Sequence, residues 1–263
     1  MWRRSVMIPS QSKVVCLGAG NLATHLSLTL QKKGFPIAQV YSRSDASART
    51  LGEKLQTEYT TDLSRIILNA SVYIFSVTDS ALEEVLQNLP PLSGLLIHTA
   101  GGIPMDIFAS YASRYGVFYP LQTFSKDRPV AFDHIPIFIE ANNSRDEALL
   151  KEIGHCLSDS VIPMPSEKRK YLHLAAVFAC NFSNHLYAQA SDILAKQGIP
   201  REVLLPIIRE TADKIKQMNP RDAQTGPAVR CDRNVMDKQI ALLQGDSQKE
   251  EIYELLSRSI LHF

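Results

Sequence analysis

The segment Val14-Val15-Cys16-Leu17-Gly18-Ala19-Gly20-Asn21-Leu22-Ala23 sets two glycines and an alanine between an apolar run and a stretch of helical periodicity. Few backbones satisfy that order. Gly18 permits a tight turn off a strand, Gly20 lets the backbone approach a ligand, and Ala23 lets the next helix pack closely on the strand. The N-terminus of that helix presents free N–H groups and a partial positive charge, which suit a pyrophosphate. Gly18, Ala19, Gly20, Asn21 and Leu22 are therefore expected to bind a dinucleotide.

The surrounding pattern supports the βαβ context that the motif needs. Val14 to Leu17, Ile37 to Tyr41, Val72 to Val77 and Leu95 to Ile97 read as successive strands, with Tyr115 to Leu121, Ile135 to Glu140 and Asp159 to Met164 as later ones. Asn21 to Lys33 carries apolar residues at Leu22, Leu26 and Leu30 and stops at Gly34, and Asp79 to Leu89 stops at Pro90-Pro91. Ser144 to Leu157 reads as one more helix. After Pro163-Met164-Pro165 the strands cease. Ser166 to Gln197 runs without Gly or Pro to Gly198, and a second helix follows from Pro200 to Met218 with a kink at Pro206. Two more helices follow, Arg233 to Gln244 and Ser247 to Ile260. The fold class is α/β: a Rossmann-like, doubly wound, mainly parallel sheet over residues 12–164, then a smaller all-helical domain over 165–263.

Composition narrows the partners. The 28 Lys plus Arg nearly balance 27 Asp plus Glu in 263 residues, so the chain lacks the basic surface that nucleic acid or an acidic membrane requires. Cys16, Cys156, Cys180 and Cys231 form no Cys-x-x-Cys, so no metal or redox motif is written locally. They read as buried thiols of a cytoplasmic protein. The longest apolar run, Leu174 to Cys180, is far short of the ~20 residues of a membrane span. Residues before Ser12 read as a frayed leader, with Met7 an alternative start.

The second strand bears on cofactor choice. An NAD site places a carboxylate there for the ribose 2′-OH, whereas this strand ends Tyr41-Ser42-Arg43-Ser44. Ser42, Arg43 and Ser44 can hold a 2′-phosphate, so NADP is preferred over NAD. Ser76-Val77-Thr78-Asp79 and His98-Thr99 end the next strands, which puts Val77, Thr78, His98 and Thr99 near a nicotinamide. Asp79 also suits a helix cap.

In the long helix, His173, Asn181 and Asn184 fall within one sector of about 80° at ~100° per residue. The apolar surroundings suggest a buried helix whose polar members either form a structural seam or polarise a substrate carbonyl. The loop from Asn219 to Asp232 adds Gln224 and Thr225 as donors and Arg230 for a carboxylate, with Asp232 as an N-cap.

Together with Gly18-Ala19-Gly20-Asn21, the strings His98-Thr99-Ala100-Gly101, Tyr119-Pro120-Leu121-Gln122-Thr123-Phe124, His173-Leu174-Ala175-Ala176-Val177-Phe178 and Gln224-Thr225-Gly226-Pro227-Ala228 resemble a bacterial family assigned as NADP oxidoreductases. Its members join a Rossmann-like domain to a helical domain of unknown function, and the architecture is similar to pyrroline-5-carboxylate reductase, ketopantoate reductase and the β-hydroxyacid dehydrogenases. The resemblance implies hydride transfer between NADP(H) and a small molecule, and a homodimer built through the helical domain. Hydroxyacid relatives carry a Lys one turn before the helix Asn, and here Val177 stands there. The expected chemistry is reduction of a small carbonyl or imine, with His98 the first choice of acid and His173 the second. Asn181 and Asn184 would orient the substrate, and Gln224, Thr225 and Arg230 would bind it, Arg230 through an acidic group. An NADP-binding sensor without turnover and a ketopantoate-type reductase are the alternatives.

Overall fold

In the computed structural model, residues 13–262 are described. The reading of a leader before Ser12 lies outside them. The chain divides after Cys180 into two compact units.

The first unit holds an eight-stranded sheet. Its strands are β1 (Val14–Leu17), β2 (Ile37–Tyr41), β3 (Glu58–Thr60), β4 (Val72–Phe75), β5 (Leu95–His98), β6 (Tyr115–Pro120), β7 (Ile137–Ala141) and β8 (Val161–Pro163), in the order β3-β2-β1-β4-β5-β6-β7-β8. All neighbours pair in parallel except β6 and β7. From β1 the chain winds to one side through β2 and β3, then returns to build β4 onward on the other. That reversal puts a crevice at the carboxyl ends of β1 and β4.

Helices α1 (Asn21–Lys32), α2 (Asp45–Leu55), α3 (Asp79–Gln87) and α4 (Ser144–Leu157) flank the sheet. The central strands are apolar along their length because both faces are covered: β1, β4 and β5 are buried at every position. One core cluster joins Val14, Leu26, Leu30, Ile74, Ile97 and Ile153, and another joins Val15, Leu17, Tyr73, Phe75, Val85 and Leu96 on the opposite face. At the far side, buried Asp146 accepts from Arg114 Nε at 3.0 Å and from Asn143 Nδ2 at 2.7 Å. Burial alone would raise its pKa, but these donors outweigh it and the carboxyl stays below its usual range.

The long helical stretch is α5 (Ser166–Ala176), a six-residue π-helix over Val177–Phe182, and α6 (Ser183–Ala195). Leu174, Phe178 and Phe182 are exposed, so this is not the helix buried all round that its composition suggests. The second unit continues through α7 (Leu205–Lys214), α8 (Arg233–Ala241) and α9 (Ser247–Leu261). Pro206 starts α7 instead of kinking a longer helix, because a 3-10 turn occupies Arg201–Leu204 and proline is at ease in a first turn. Asp232 caps α8, accepting from Val235 N–H at 3.2 Å. Among the described residues, no helix is long and apolar enough to cross a membrane. Cys16 is buried, which pushes its thiol up to about 12, whereas Cys231 is exposed, against the reading of four buried thiols.

Candidate active site

Gly18 has φ +122°, and a Cβ there would stand 2.3 Å from the Ser76 carbonyl oxygen. Only glycine lets β1 turn this close to the end of β4. Gly20 differs: among the described residues a Cβ there would meet nothing within 4 Å, so its outer side is open to them. Among the described residues no side chain caps the start of α1, which leaves its first amides available. This open glycine at an uncapped helix start fits a pyrophosphate. Asn21 is engaged elsewhere, donating from Nδ2 to the Phe124 carbonyl at 2.9 Å, and Leu22 packs against the core. Asn21 and His25, whose Nε2 lies 2.8 Å from the Ser125 carbonyl oxygen, together tie the segment after β6 to α1.

At the end of β2, Ser44 caps α2 by accepting from Ser47 N–H at 3.4 Å, and Ser42 Oγ accepts from Ser44 N–H at 3.4 Å. Arg43 lies 3.7 Å from Glu84, with both side chains exposed. Tyr41, Arg43, Asp62, Leu63, Glu84 and Val85 help line an open pocket of about 480 Å³ here. The strand end thus offers a helix N-terminus, two hydroxyls and a guanidinium, although a carboxylate already faces that guanidinium.

Across the crevice, Val77 is half-buried and Thr78 exposed. Thr78, not Asp79, occupies the cap position of α3, and Asp79 stands in its first turn. Thr99 Oγ1 donates to Ser76 Oγ at 3.1 Å, bracing the ends of β4 and β5.

The two histidines have opposite surroundings. His98 is 1% exposed, its ring lies 5.6 Å from that of Phe108, and its Nδ1 accepts from Ala100 N–H at 3.2 Å. Among the described residues its Nε2 makes no hydrogen bond of good geometry, the Pro104 carbonyl being close enough only to act on its charge. Burial, reinforced by the charge of Arg169 and only partly offset by the Pro104 carbonyl, pushes its pKa down to about 3. Held neutral at ordinary pH, this enclosed imidazole keeps one ring N–H but not the second proton of an imidazolium. His173 is half-buried on α5, and its Nδ1 lies 2.9 Å from Tyr119 Oη at the end of β6. Burial raises the Tyr119 pKa, with Asp79 adding and Arg169 opposing, so the phenol keeps its proton. The imidazole lies against Gly101: a Cβ there would fall 2.5 Å from Cγ and Nδ1. A Cβ on Gly102 would be 3.9 Å from His173 Cδ2 and 4.0 Å from Asp79 Oδ2.

The carboxyl edge of the sheet thus brings His173 and Tyr119 together with Asp79 close by, a pairing the sequence reading did not single out. Tyr119 alone carried no signal, because a strand tyrosine is ordinarily core. In the second unit Asn181, Asn184, Thr225 and Arg230 are exposed, while Gln224 is half-buried and donates to the Thr225 carbonyl at 3.1 Å. The intervening π-helix ends the arithmetic of ~100° per residue that set Asn181 and Asn184 in one sector with His173.

Residues 13–99 match the family described as NADP oxidoreductase, coenzyme F420-dependent, and residues 135–260 match the domain of unknown function DUF2520. A crystal structure of a Bacteroides fragilis protein assigned as an NADP oxidoreductase is 48% identical, with a TM-score of 0.91 over 97% of this chain and 99% of that one. Pyrroline-5-carboxylate reductase of Pseudomonas aeruginosa is 27% identical over 221 residues, 80% of this chain and 78% of the enzyme. A reductive aminase from Aspergillus terreus, solved with NADPH and ethyl-5-oxohexanoate, shares the fold at 15% identity and a TM-score of 0.71, over 95% of this chain and 92% of that one. This chain belongs to the family of the Bacteroides protein, NAD(P)-dependent oxidoreductases in which a Rossmann-like segment precedes a helical domain of unknown function.

Proposed function

We propose that the protein reduces a small imine or carbonyl compound with NADPH, and that His173, paired with Tyr119, delivers the proton. The supporting observation is the 2.9 Å contact of the half-buried His173 with Tyr119 Oη at the carboxyl edge of the sheet. Reduced nicotinamide, when bound, supplies the hydride. Gly18, Gly20 and the first amides of α1 would hold its pyrophosphate, and Ser42, Arg43 and Ser44 its 2′-phosphate, which underlies the preference for NADP over NAD. The acid of the expected mechanism moves from His98 to His173. The Tyr119 hydroxyl, donating to Nδ1 of a neutral His173, fixes the tautomer with its proton on Nε2. In the imidazolium form the same contact reverses, Nδ1–H donating to the phenol oxygen while Nε2–H goes to the substrate nitrogen or oxygen. Exposed Arg230 would take an acidic group on the substrate, alongside Gln224 and Thr225, with Asn181 and Asn184 as orienting amides.

Among the described residues of the second unit, only Ala228 is buried, while Leu242 is 84% and Ile207 63% exposed. A helical unit without a core of its own needs a cover, and a homodimer through these helices supplies it. The test is NADPH oxidation with 1-pyrroline-5-carboxylate, 1-pyrroline, and cyclohexanone with ammonium, with NADH in parallel. Turnover with NADPH, lost by at least tenfold in His173→Gln and Tyr119→Phe, is expected. Undiminished turnover in either variant, or turnover with NADH alone, would refute the corresponding part.

A further inference from the structure

Arg169 is wholly buried, at 1% exposure, one turn before His173 on α5. Its Nη1 donates to Glu140 Oε2 on β7 at 2.7 Å, and its Nη2 donates to the Ile103 carbonyl and, at 3.0 Å, to Ser166 Oγ. Ser166 in turn donates to the same Glu140 oxygen at 2.6 Å and accepts from Met105 N–H at 3.0 Å. One guanidinium therefore ties three elements: β7, α5, and the Ile103–Met105 segment that follows the Gly101-Gly102 pair.

A buried ion pair is a weak stabiliser, often replaceable by apolar groups without loss, so fold stability alone is a poor account of this cluster. Its location offers a better one. Residues four apart share a helix face, so Arg169 anchors the face that carries His173. Its bond to Ile103 also holds the segment whose glycine lies directly against the His173 ring. The same charge bears on both neighbouring titratable groups, favouring neutral His98 and making the Tyr119 hydroxyl a better donor than burial alone would leave it.

We propose that Arg169, with Glu140 and Ser166, is the positioning residue of the proton-delivering pair, fixing α5 against the Gly101–Met105 segment so that His173 meets Tyr119 at hydrogen-bond distance. This rests on the assignment of His173 and Tyr119 made above. The test uses the full chain as wild type, Arg169→Lys, and the double variant Arg169→Met with Glu140→Leu, which replaces the ion pair by apolar groups and should restore the melting temperature. Long-range proton–nitrogen NMR spectra of the His173 imidazole report the Tyr119 contact, with Tyr119→Phe as the reference for its loss. Both Arg169 variants should give His173 spectra displaced toward that reference. With 1-pyrroline-5-carboxylate as the probe, kcat should fall about tenfold while the Kd for NADPH stays within about twofold. Arg169→Lys keeps the charge but not the fork, and covers the case in which the double variant does not fold. An unaltered His173 spectrum and kcat in Arg169→Lys would overturn the role of Arg169 alone. Full kcat in His173→Gln would instead overturn the pair, and the proposal with it.

Discussion

Substitution of Gly101 by alanine is the most direct probe of the His173 site. The backbone at Gly101 is not left-handed, so alanine brings no conformational strain, only a methyl group. That methyl would lie 2.5 Å from Cγ and Nδ1 of His173 and 2.8 Å from its Cβ. Carbon contacts settle at about 3.5–4.0 Å, so the ring must withdraw by roughly 1 Å. The 2.9 Å contact with Tyr119 then opens past hydrogen-bond range. A misplacement of about 1 Å in a catalytic group costs on the order of 10²-fold, or ~2.7 kcal/mol of barrier. Overpacking lowers stability by about 1–3 kcal/mol. Gly102→Ala is the internal comparison, because its methyl would stand 3.9 Å from His173 and 4.0 Å from Asp79, ordinary contact distances. Steady-state kinetics with NADPH, calorimetric NADPH binding and thermal melts on both variants separate the effects. The expected result is a loss of kcat in Gly101→Ala alone, with NADPH affinity retained in both. Equal kcat in the two variants would refute the placement of the proton donor at His173.

Glu84 stands 3.7 Å from Arg43 and would oppose the 2′-phosphate role proposed for it, and such an exposed pair is worth at most about 1 kcal/mol. Glu84→Gln should therefore tighten 2′,5′-ADP and NADPH by roughly two- to fivefold in titration calorimetry and leave 5′-AMP and NADH unmoved; equal shifts for both kinds of nucleotide would remove Arg43 from the site. His98 gives a pH signature of its own. Its folded pKa of about 3 lies below the usual value of 6.5, so the unfolded chain binds the proton more readily. The stability this contributes is complete above about pH 6.5 and is lost as pH falls toward 3, at up to ~1.4 kcal/mol per unit. Urea unfolding between pH 7 and 5 should show that slope in the wild type and a shallower one in His98→Met; identical slopes would mean that His98 titrates normally.

The fold around the Gly18–Gly20 turn was legible because its determinants are local. Gly18, Gly20 and Ala23 act through their own backbone and the helix that begins beside them, and the alternation of short apolar runs with helices announces a parallel sheet. The placing of β1, β2, β4, β5 and β6 followed from that, with strand ends displaced by a few residues. What went unread was the pair α2 and β3. Ser44 caps a helix whose buried positions Ala48, Leu51 and Leu55 keep helical spacing, but its polar composition and the three-residue edge strand after it leave little apolar pattern to see. The exposure of Leu174, Phe178 and Phe182 was equally invisible, since an apolar segment reads the same whether its own chain or another covers it.

The proton-delivering end needed contacts between elements far apart in sequence. His98 and His173 are alike as letters, and position at a strand end favoured His98. Their roles separate only through packing: Phe108 and the turn at Ala100 enclose one ring, while Tyr119, 54 residues from its partner, meets the other. A histidine delivers a full proton near neutral pH most readily as an imidazolium, and burial, reinforced by Arg169, disfavours that form at His98. Burial, with Arg169 adding to it, holds His98 neutral, and the same arginine sits one turn before the half-buried His173 on α5. A strand-end histidine next to a glycine pair is therefore ambiguous until the residue stacked on that glycine is known, and here Gly101 is small because His173 lies on it.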